Sequence, residues 1–158
     1  MGRESDQIAG NRKALDKGGS VVITKRIRLQ TDGNCDIVDI TRQVAESLSA
    51  SGLRAGTATV FVAHSTAGVT TTEYEPGLVK DLKALFERLA PQGGDYQHDS
   101  GASEGNGHAH IQASLLGPTL SVPFEGGILL LGTWQQIVIV DFDNRPRTRQ
   151  VVFQFVGE

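Results

Sequence analysis

Three of the four histidines in this 158-residue chain fall in one polar stretch, YQHDSGASEGNGHAH at positions 96–110. The fourth, His64, opens the turn HSTAG, where small hydroxyl side chains suit a backbone that bends beside a ligand. A single histidine in such a chain is ordinarily a surface residue or a hydrogen-bonded core residue, and it is the clustering that raises this set above that reading. Imidazoles from three separate elements, His64, His98 and one of the His108/His110 pair, would supply the nitrogen ligands of a zinc-like site with its fourth position open. Such a site activates water or polarises an oxygen. Neither HExxH nor CxxC is present to strengthen it. His108 and His110 would point the same way on a strand, but on a helix begun by Asn106 they diverge by about 200°, so that only one serves a shared site. His108 then lies toward Ile111 and Leu115 and His110 toward Ser114, and spacing alone does not choose between them.

A second constellation lies in LLLGTWQQIVIVDFDNRPRTRQ. Gly132 interrupts an apolar run and is followed by Thr133, Trp134 and Gln135, polar and aromatic groups where a strand could meet a pocket. The general burial preference of Trp makes Trp134 a packing residue first. Arg145, Arg147 and Arg149, at two-residue spacing, point one way on an extended segment and make a patch suited to phosphate or carboxylate. The competing reading is a solvated strand face partnered by Asp141 and Asp143. No glycine-rich phosphate loop supports a nucleotide fold.

The elements that must hold these groups follow from periodicity. Residues 21–31 alternate as a half-buried strand, with Val21, Ile23, Ile27 and Leu29 on one face. After the turn Thr31-Asp32-Gly33-Asn34 and a short apolar piece, Thr41 is placed to cap a helix that stops at Gly52. Residues 57–63 form a strand ending at His64. Pro76 opens a helix to Ala90 with Leu78, Leu82, Leu85, Phe86 and Leu89 on one stripe. Asn106 caps a short helix ending at Gly117-Pro118, and strands follow at 119–123, 127–131, 133–142 and 148–156. The pattern predicts α+β: a mostly antiparallel sheet folded into a sandwich or open barrel with about three outer helices.

The length fits one domain, residues 21–158, able to bury roughly 70% of its unfolded surface. Residues 1–20 are polar and read as a flexible arm. A net charge of −3 gives no basic excess to attract nucleic acid. No apolar run reaches a membrane span and the first residues lack a signal-peptide core, so a cytoplasmic protein is expected. The single Cys35 excludes an internal disulfide and reads as a small packing residue.

The stretches HSTAGVTTTEYEPGLVKDL, YQHD with NGHAHIQASLLGP, SVPFEGGILLLGTWQ and DFDNRPRTRQVVF, in that order, resemble the YjbQ-like family, which is associated with a secondary thiamine-phosphate synthase activity. The resemblance implies a β-sandwich with outer helices assembled as a homotrimer. It also implies a histidine-lined site of His64, His98 and His110, often with a metal or an oxyanion nearby, and a divalent metal there is expected to be zinc first and magnesium second. It further brings in Asp141 and the arginines Arg147 and Arg149. Thr72-Glu73 stands where many relatives have Asn-Glu, so Glu73 keeps its place and the Asn does not.

Three functions follow as expectations. One is a transferase joining a pyrimidine diphosphate to a thiazole phosphate, with metal, Arg147 and Arg149 stabilising the departing charge and Thr133 and Gln135 binding substrate. Another is a metal-dependent hydrolase or lyase of small phosphorylated metabolites, with Glu73 or Asp141 as proton acceptor. The third is a metal- or small-molecule-binding trimer without catalysis.

Overall fold

A computed structural model describes residues 19–101 and 104–158, together with the backbone of Gln7–Ile8 and Arg12–Lys13. The strands in chain order are β1 (Gln7–Ile8), β2 (Arg12–Lys13), β3 (Val21–Thr31), β4 (Asp36–Asp39), β5 (Ala55–Val62), β6 (Ala67–Thr72), β7 (Thr119–Glu125), β8 (Ile128–Leu129), β9 (Gln136–Asp141) and β10 (Arg147–Gly157). The helices are α1 (Thr41–Ser51), α2 (Pro76–Leu89) and α3 (Gly107–Leu116), with a 3-10 turn at Gln97–Asp99.

Among the described residues all strand pairs are antiparallel and fall into two sheets. The larger runs β1-β3-β10-β5-β7-β8, with β2 also on β3; the smaller runs β4-β9-β6. This bears out the expected mostly antiparallel α+β architecture. Of the expected arm at 1–20, β1 and β2 pair with β3, Gln7 opposite Ile27 and Arg12 opposite Ile23, and the remainder up to residue 18 lies outside the described residues.

Three layers bury two cores. Inward residues of the large sheet, among them Ile27, Leu29, Val60, Val62, Phe153 and Phe155, meet Ile137 and Ile139 of β9, Val69 of β6 and Val44 and Leu48 of α1. On its other face the small sheet presents Ile37, Val138, Val140 and Phe142 to α2 and α3. β9 is therefore buried on both faces, and IVIVDF reads as a continuous apolar run because no side of that strand meets water. Each large side chain so enclosed contributes roughly 1.5–3 kcal/mol.

Several local expectations are corrected. Thr41 is the first helical residue and not the cap: its hydroxyl accepts the backbone N–H of Ile137 (2.8 Å), while Asp39 Oδ1 accepts the Thr41 N–H (2.8 Å). α2 does start at Pro76, with the Glu75 carboxylate accepting N–H bonds from Gly77 and Leu78, but its packing stripe is Val79, Leu82 and Phe86. Leu85 and Leu89 stay exposed, because the helix touches the sheet along a narrow seam where Phe86 meets Phe142 edge to face at 4.7 Å. The strand expected from 133 begins only at Gln136, and that expected at 127–131 shrinks to Ile128–Leu129. β8 closes a hairpin on β7 through Gly126 and Gly127, both at positive φ, the conformation a tight two-residue turn requires.

β6 was not legible as a strand. Ala67–Thr72 pairs along β9, and Gly68 permits it: a Cβ there would come within 2.8 Å of the Gly117 carbonyl oxygen at the end of α3. Among the described residues no helix is long and apolar enough to cross a membrane.

Candidate functional site

The three expected histidines line one cleft of about 530 Å³ together with Thr66, Glu104, Asn106, Asp143, Arg147 and Arg149. It opens at the end of the two-sheet core where β5 leaves for β6 and β10 begins. Each element delivers its group for a local reason.

His64 follows β5. The ladder between β5 and β10 ends at Val62 opposite Val151, and His64 extends it with its ring: Nε2 accepts the Gln150 backbone N–H at 2.8 Å. A neutral imidazole accepting at Nε2 carries its proton on Nδ1. Burial, then the neighbouring Arg149 guanidinium, hold the His64 pKa below its ordinary value, so the ring is neutral at pH 7. Its remaining nitrogen is thereby a donor.

His98 sits in the 3-10 turn. Its Nδ1 lies 3.0 Å from Asp99 Oδ1, which also accepts the Gly107 N–H at 2.9 Å. Asp99, and not Asn106, thus satisfies the start of α3, and the same carboxylate orients an imidazole. With the carboxylate ionised, Nδ1 donates and Nε2 is left with a free lone pair. The Asn106 side chain turns inward instead, Nδ2 donating to Asp143 Oδ1 at 3.3 Å.

His110 is one α3 residue pair beyond His108, and the helix separates them as its geometry demands. His110 faces the cleft with its ring centroid 4.6 Å from that of His98. His108 is buried beside Ala109 and Gln112, and its Nδ1 has no hydrogen-bond partner among the described residues. Its placement with Ile111 and Leu115 is corrected: those two are exposed, because the face of α3 that packs inward is Gly107, His108, Ala109, Gln112 and Ala113. Gln112 serves α2, donating from Nε2 to the carbonyls of Phe86 (3.0 Å) and Ala90 (2.8 Å).

The floor is an ion-pair network. Arg149, side chain 4% exposed, donates from Nε (2.6 Å) and Nη2 (2.5 Å) to the two oxygens of Asp141 and from Nη2 to Thr66 Oγ1 (2.9 Å). Asp141, fully buried, also accepts from the Thr31 hydroxyl and the Asp143 N–H. Asp143 accepts from Arg147 Nε (2.7 Å), Asn106, Thr66 and the Asn144 N–H. Burial alone would raise the Asp143 pKa, but the Arg147 hydrogen bond first, then the Asn144 N–H, Asn106 and Thr66, bring it down to about 2. Arg149 and Asp141 are buried and hydrogen-bonded to each other and to their neighbours, which a buried ion pair needs if it is not to destabilise the fold. Arg149 and Arg147 are therefore partnered by Asp141 and Asp143 as foreseen, Arg149 in the interior, whereas Arg145 stays on the solvated face.

At the rim, Glu104 bridges Arg145 and Arg147. Nothing in the spacing pointed to Glu104 or Asn106. The pairing of two alternating aspartates with two alternating arginines was the available signal for Asp143.

The other predicted residues lie elsewhere. The β6/β9 ladder runs from Ala67 opposite Asp141 at the cleft to Thr72 opposite Gln136, about 17 Å at the usual strand rise. Glu73, Thr133 and Gln135 lie beyond that far end. Gln135 organises its own loop, accepting the Gly132 N–H (2.7 Å) and donating to Thr71 Oγ1 (3.4 Å). Trp134, expected to pack, is 69% exposed. Asp141 is at the cleft end but beneath the surface, with its oxygens occupied by the network.

The three histidines line one cleft, with His98 and His110 in ring contact, but they do not present three free nitrogens to one point. His64 Nε2 is engaged by Gln150 and its Nδ1 bears hydrogen, so the donor set falls to His98 and His110. Among the described residues no three of His, Cys, Asp and Glu are gathered as a metal site. This arrangement does not fit the zinc centre that the sequence led one to expect.

Comparison with known proteins is consistent across sequence and structure. Residues 25–158 match the family model described as UPF0047 protein YjbQ-like. The chain belongs to the YjbQ-like family. A UPF0047 protein of Archaeoglobus fulgidus is 40% identical over 126 residues, covering 80% of this chain and 95% of that one. The UPF0047 protein YugU of Bacillus subtilis is 35% identical over 135 residues, covering 84% and 98%. Among solved structures, a YbjQ-like protein of unknown function from Sulfolobus solfataricus superposes with a TM-score of 0.84 at 32% identity, covering 88% of this chain and 99% of that one. A hypothetical protein from Aeropyrum pernix gives 0.80 at 35% identity, with 85% and 98% covered.

Proposed function

We propose that the YjbQ-like cleft is an active site for acid–base chemistry on a small phosphorylated metabolite. The observation that carries this reading is the pairing of His98 and His110, ring centroids 4.6 Å apart, with Asp99 on the outer nitrogen of His98 and Arg147 in the same cleft. A carboxylate that fixes one tautomer leaves His98 Nε2 as a proton acceptor aimed away from Asp99, the usual arrangement of a general base. His110 beside it is the partner that, in its protonated form, gives its own proton to a leaving group while His98 takes one up. His64, neutral and donating from Nδ1, supplies a hydrogen bond to a ligand oxygen, and Arg147 binds the anionic end.

Thiamine-phosphate formation is a second, narrower candidate for the same cleft: the arginines would take up the charge on departing diphosphate, a task that needs no strong base. No step here is routed through a metal, since the donor set is short by one nitrogen. Residues of a second copy would enter through a homotrimer, an assembly the family resemblance brings in.

The test is a steady-state assay over a panel of phosphate esters, and over the pyrimidine diphosphate with the thiazole phosphate, using wild type, His98→Ala, His110→Ala and Asp99→Asn, each before and after chelation. Both histidine variants are expected to lose about 100-fold or more in kcat, with chelation having no effect. Turnover that survives both histidine replacements defeats the reading. Activity abolished by chelator restores the metal centre, and tight binding without turnover by wild type makes the site a receptor.

A further inference from the structure

Arg147 of the cleft wall and Arg145 beside it already hold an anion, and that anion comes from the chain itself. Arg145 Nη2 donates to Glu104 Oε1 at 2.5 Å, and Arg147 Nη2 donates to Glu104 Oε2. One carboxylate thus bridges two guanidiniums at the rim. Deeper in, Arg149 spends Nε and Nη2 on Asp141 and Thr66, and Arg147 spends Nε on Asp143. The Nη2 atoms of Arg145 and Arg147 meet on Glu104, which lines the cleft together with Arg147.

That contact does little for the fold. Glu104 is 51% and Arg145 54% exposed, and ion pairs at such exposure contribute little to stability. The backbone at Glu104 has a separate tether, because Asn144 Nδ2 donates to its carbonyl at 2.8 Å. The carboxylate can leave the arginines without the chain leaving its place. Two guanidinium edges converging on two acceptor oxygens are also what a phosphate or carboxylate group requires.

We propose that Arg145 and Arg147 form an anion subsite at the rim of this cleft, and that Glu104 is a specificity-determining residue that occupies it until a ligand's phosphate displaces it. A singly charged carboxylate meets an equal competitor already in place. A phosphate, at a charge of roughly −1.5 to −2 near neutral pH with three acceptor oxygens, outcompetes it. The subsite therefore selects phosphorylated ligands over their carboxylate analogues. This deepens the active-site reading above and rests on it for the identity of the cleft, but not for its chemistry.

The test is equilibrium binding without turnover. Inorganic phosphate and acetate are titrated at low ionic strength into wild type, Glu104→Gln, and Glu104→Gln combined with Arg145→Gln, with the Arg147 side-chain Nε–H followed by NMR. Removing the competing charge is expected to tighten phosphate binding about five- to tenfold and to make acetate binding measurable, and adding Arg145→Gln is expected to abolish that gain. Phosphate affinity that is unchanged or weaker in Glu104→Gln, or shifts that spare Arg147, overturns the subsite. Because both replaced side chains are half exposed, the folded spectrum serves as an internal control. If the subsite behaves as expected while His98→Ala and His110→Ala keep their turnover, the acid–base reading falls and the subsite stands.

Discussion

Replacing Asp141 by Asn tests whether the cleft floor is as dry as its geometry indicates. The substitution keeps the shape and removes the charge, so the Arg149 guanidinium, 4% exposed, keeps only a 3.4 Å contact to Asp143 as an ionic partner. An exposed pair is worth about 0.2–1 kcal/mol, whereas removing one partner of a buried pair costs about 3–5 kcal/mol because an uncompensated charge stays behind. The larger figure applies here. With a urea slope of roughly 2 kcal/mol per molar, within the range for a small domain, the midpoint falls by about 1.5–2.5 M. Far-UV circular dichroism is the appropriate probe, since Trp134 is already solvent-exposed in the folded protein and its emission will report little. The double variant Asp141→Leu/Arg149→Met removes both charges and should lose less than the sum of the single losses by 2 kcal/mol or more. A loss below about 1 kcal/mol for Asp141→Asn would mean that water reaches the pair, and the account of the floor would be wrong.

Asp143 makes stability depend on acid. Its folded pKa of about 2 lies below the ordinary 3.8, so it contributes roughly 2 kcal/mol above pH 4 that is lost as pH falls from 4 toward 2; Asp143→Asn should flatten that limb of a pH–stability curve. His64 has the opposite preference, neutral when folded, so protonation of the unfolded chain lowers stability as pH drops below about 6.5, and His64→Gln should remove that slope. Burial pushes the Cys35 thiol up to about 11, so its alkylation at pH 8 should be about two orders of magnitude slower than in the urea-unfolded chain; equal rates would contradict its burial. Trp134→Phe should change stability by less than about 0.5 kcal/mol, a result that thermal unfolding can check.

What the sequence revealed depended on whether a feature was local. The strand at 21–31 and the helix from Pro76 carry their own periodicity and stand where they were predicted. β6 does not: AGVTTT is small and polar, and it is a strand because β9 lies beside it and Gly68 lets α3 come close. His64, His98 and His110 were found as a set, the last through family resemblance, since spacing could not separate it from His108. That His64 would have one nitrogen taken by a backbone N–H of β10 depends on where a ladder ends, which no pattern in either strand records. Glu73, Thr133 and Gln135 were drawn toward the histidines by motif, but a strand's length of rigid ladder separates them in one subunit. The choice between phosphate-binding arginines and a paired strand face has a mixed answer: Arg149 is locked in the interior, while Arg145 and Arg147 retain a reachable edge.

The placement of the Arg149–Asp141 pair divides this cleft into two kinds of ground for evolution. Its base is shared with the closure of the hydrophobic interior, so a change there that improves a ligand's fit also threatens folding. The residues at its lip, Glu104 and Arg145, carry no such double duty. New ligand preferences in descendants of this chain should therefore arise by substitution along the lip, with the base inherited unchanged.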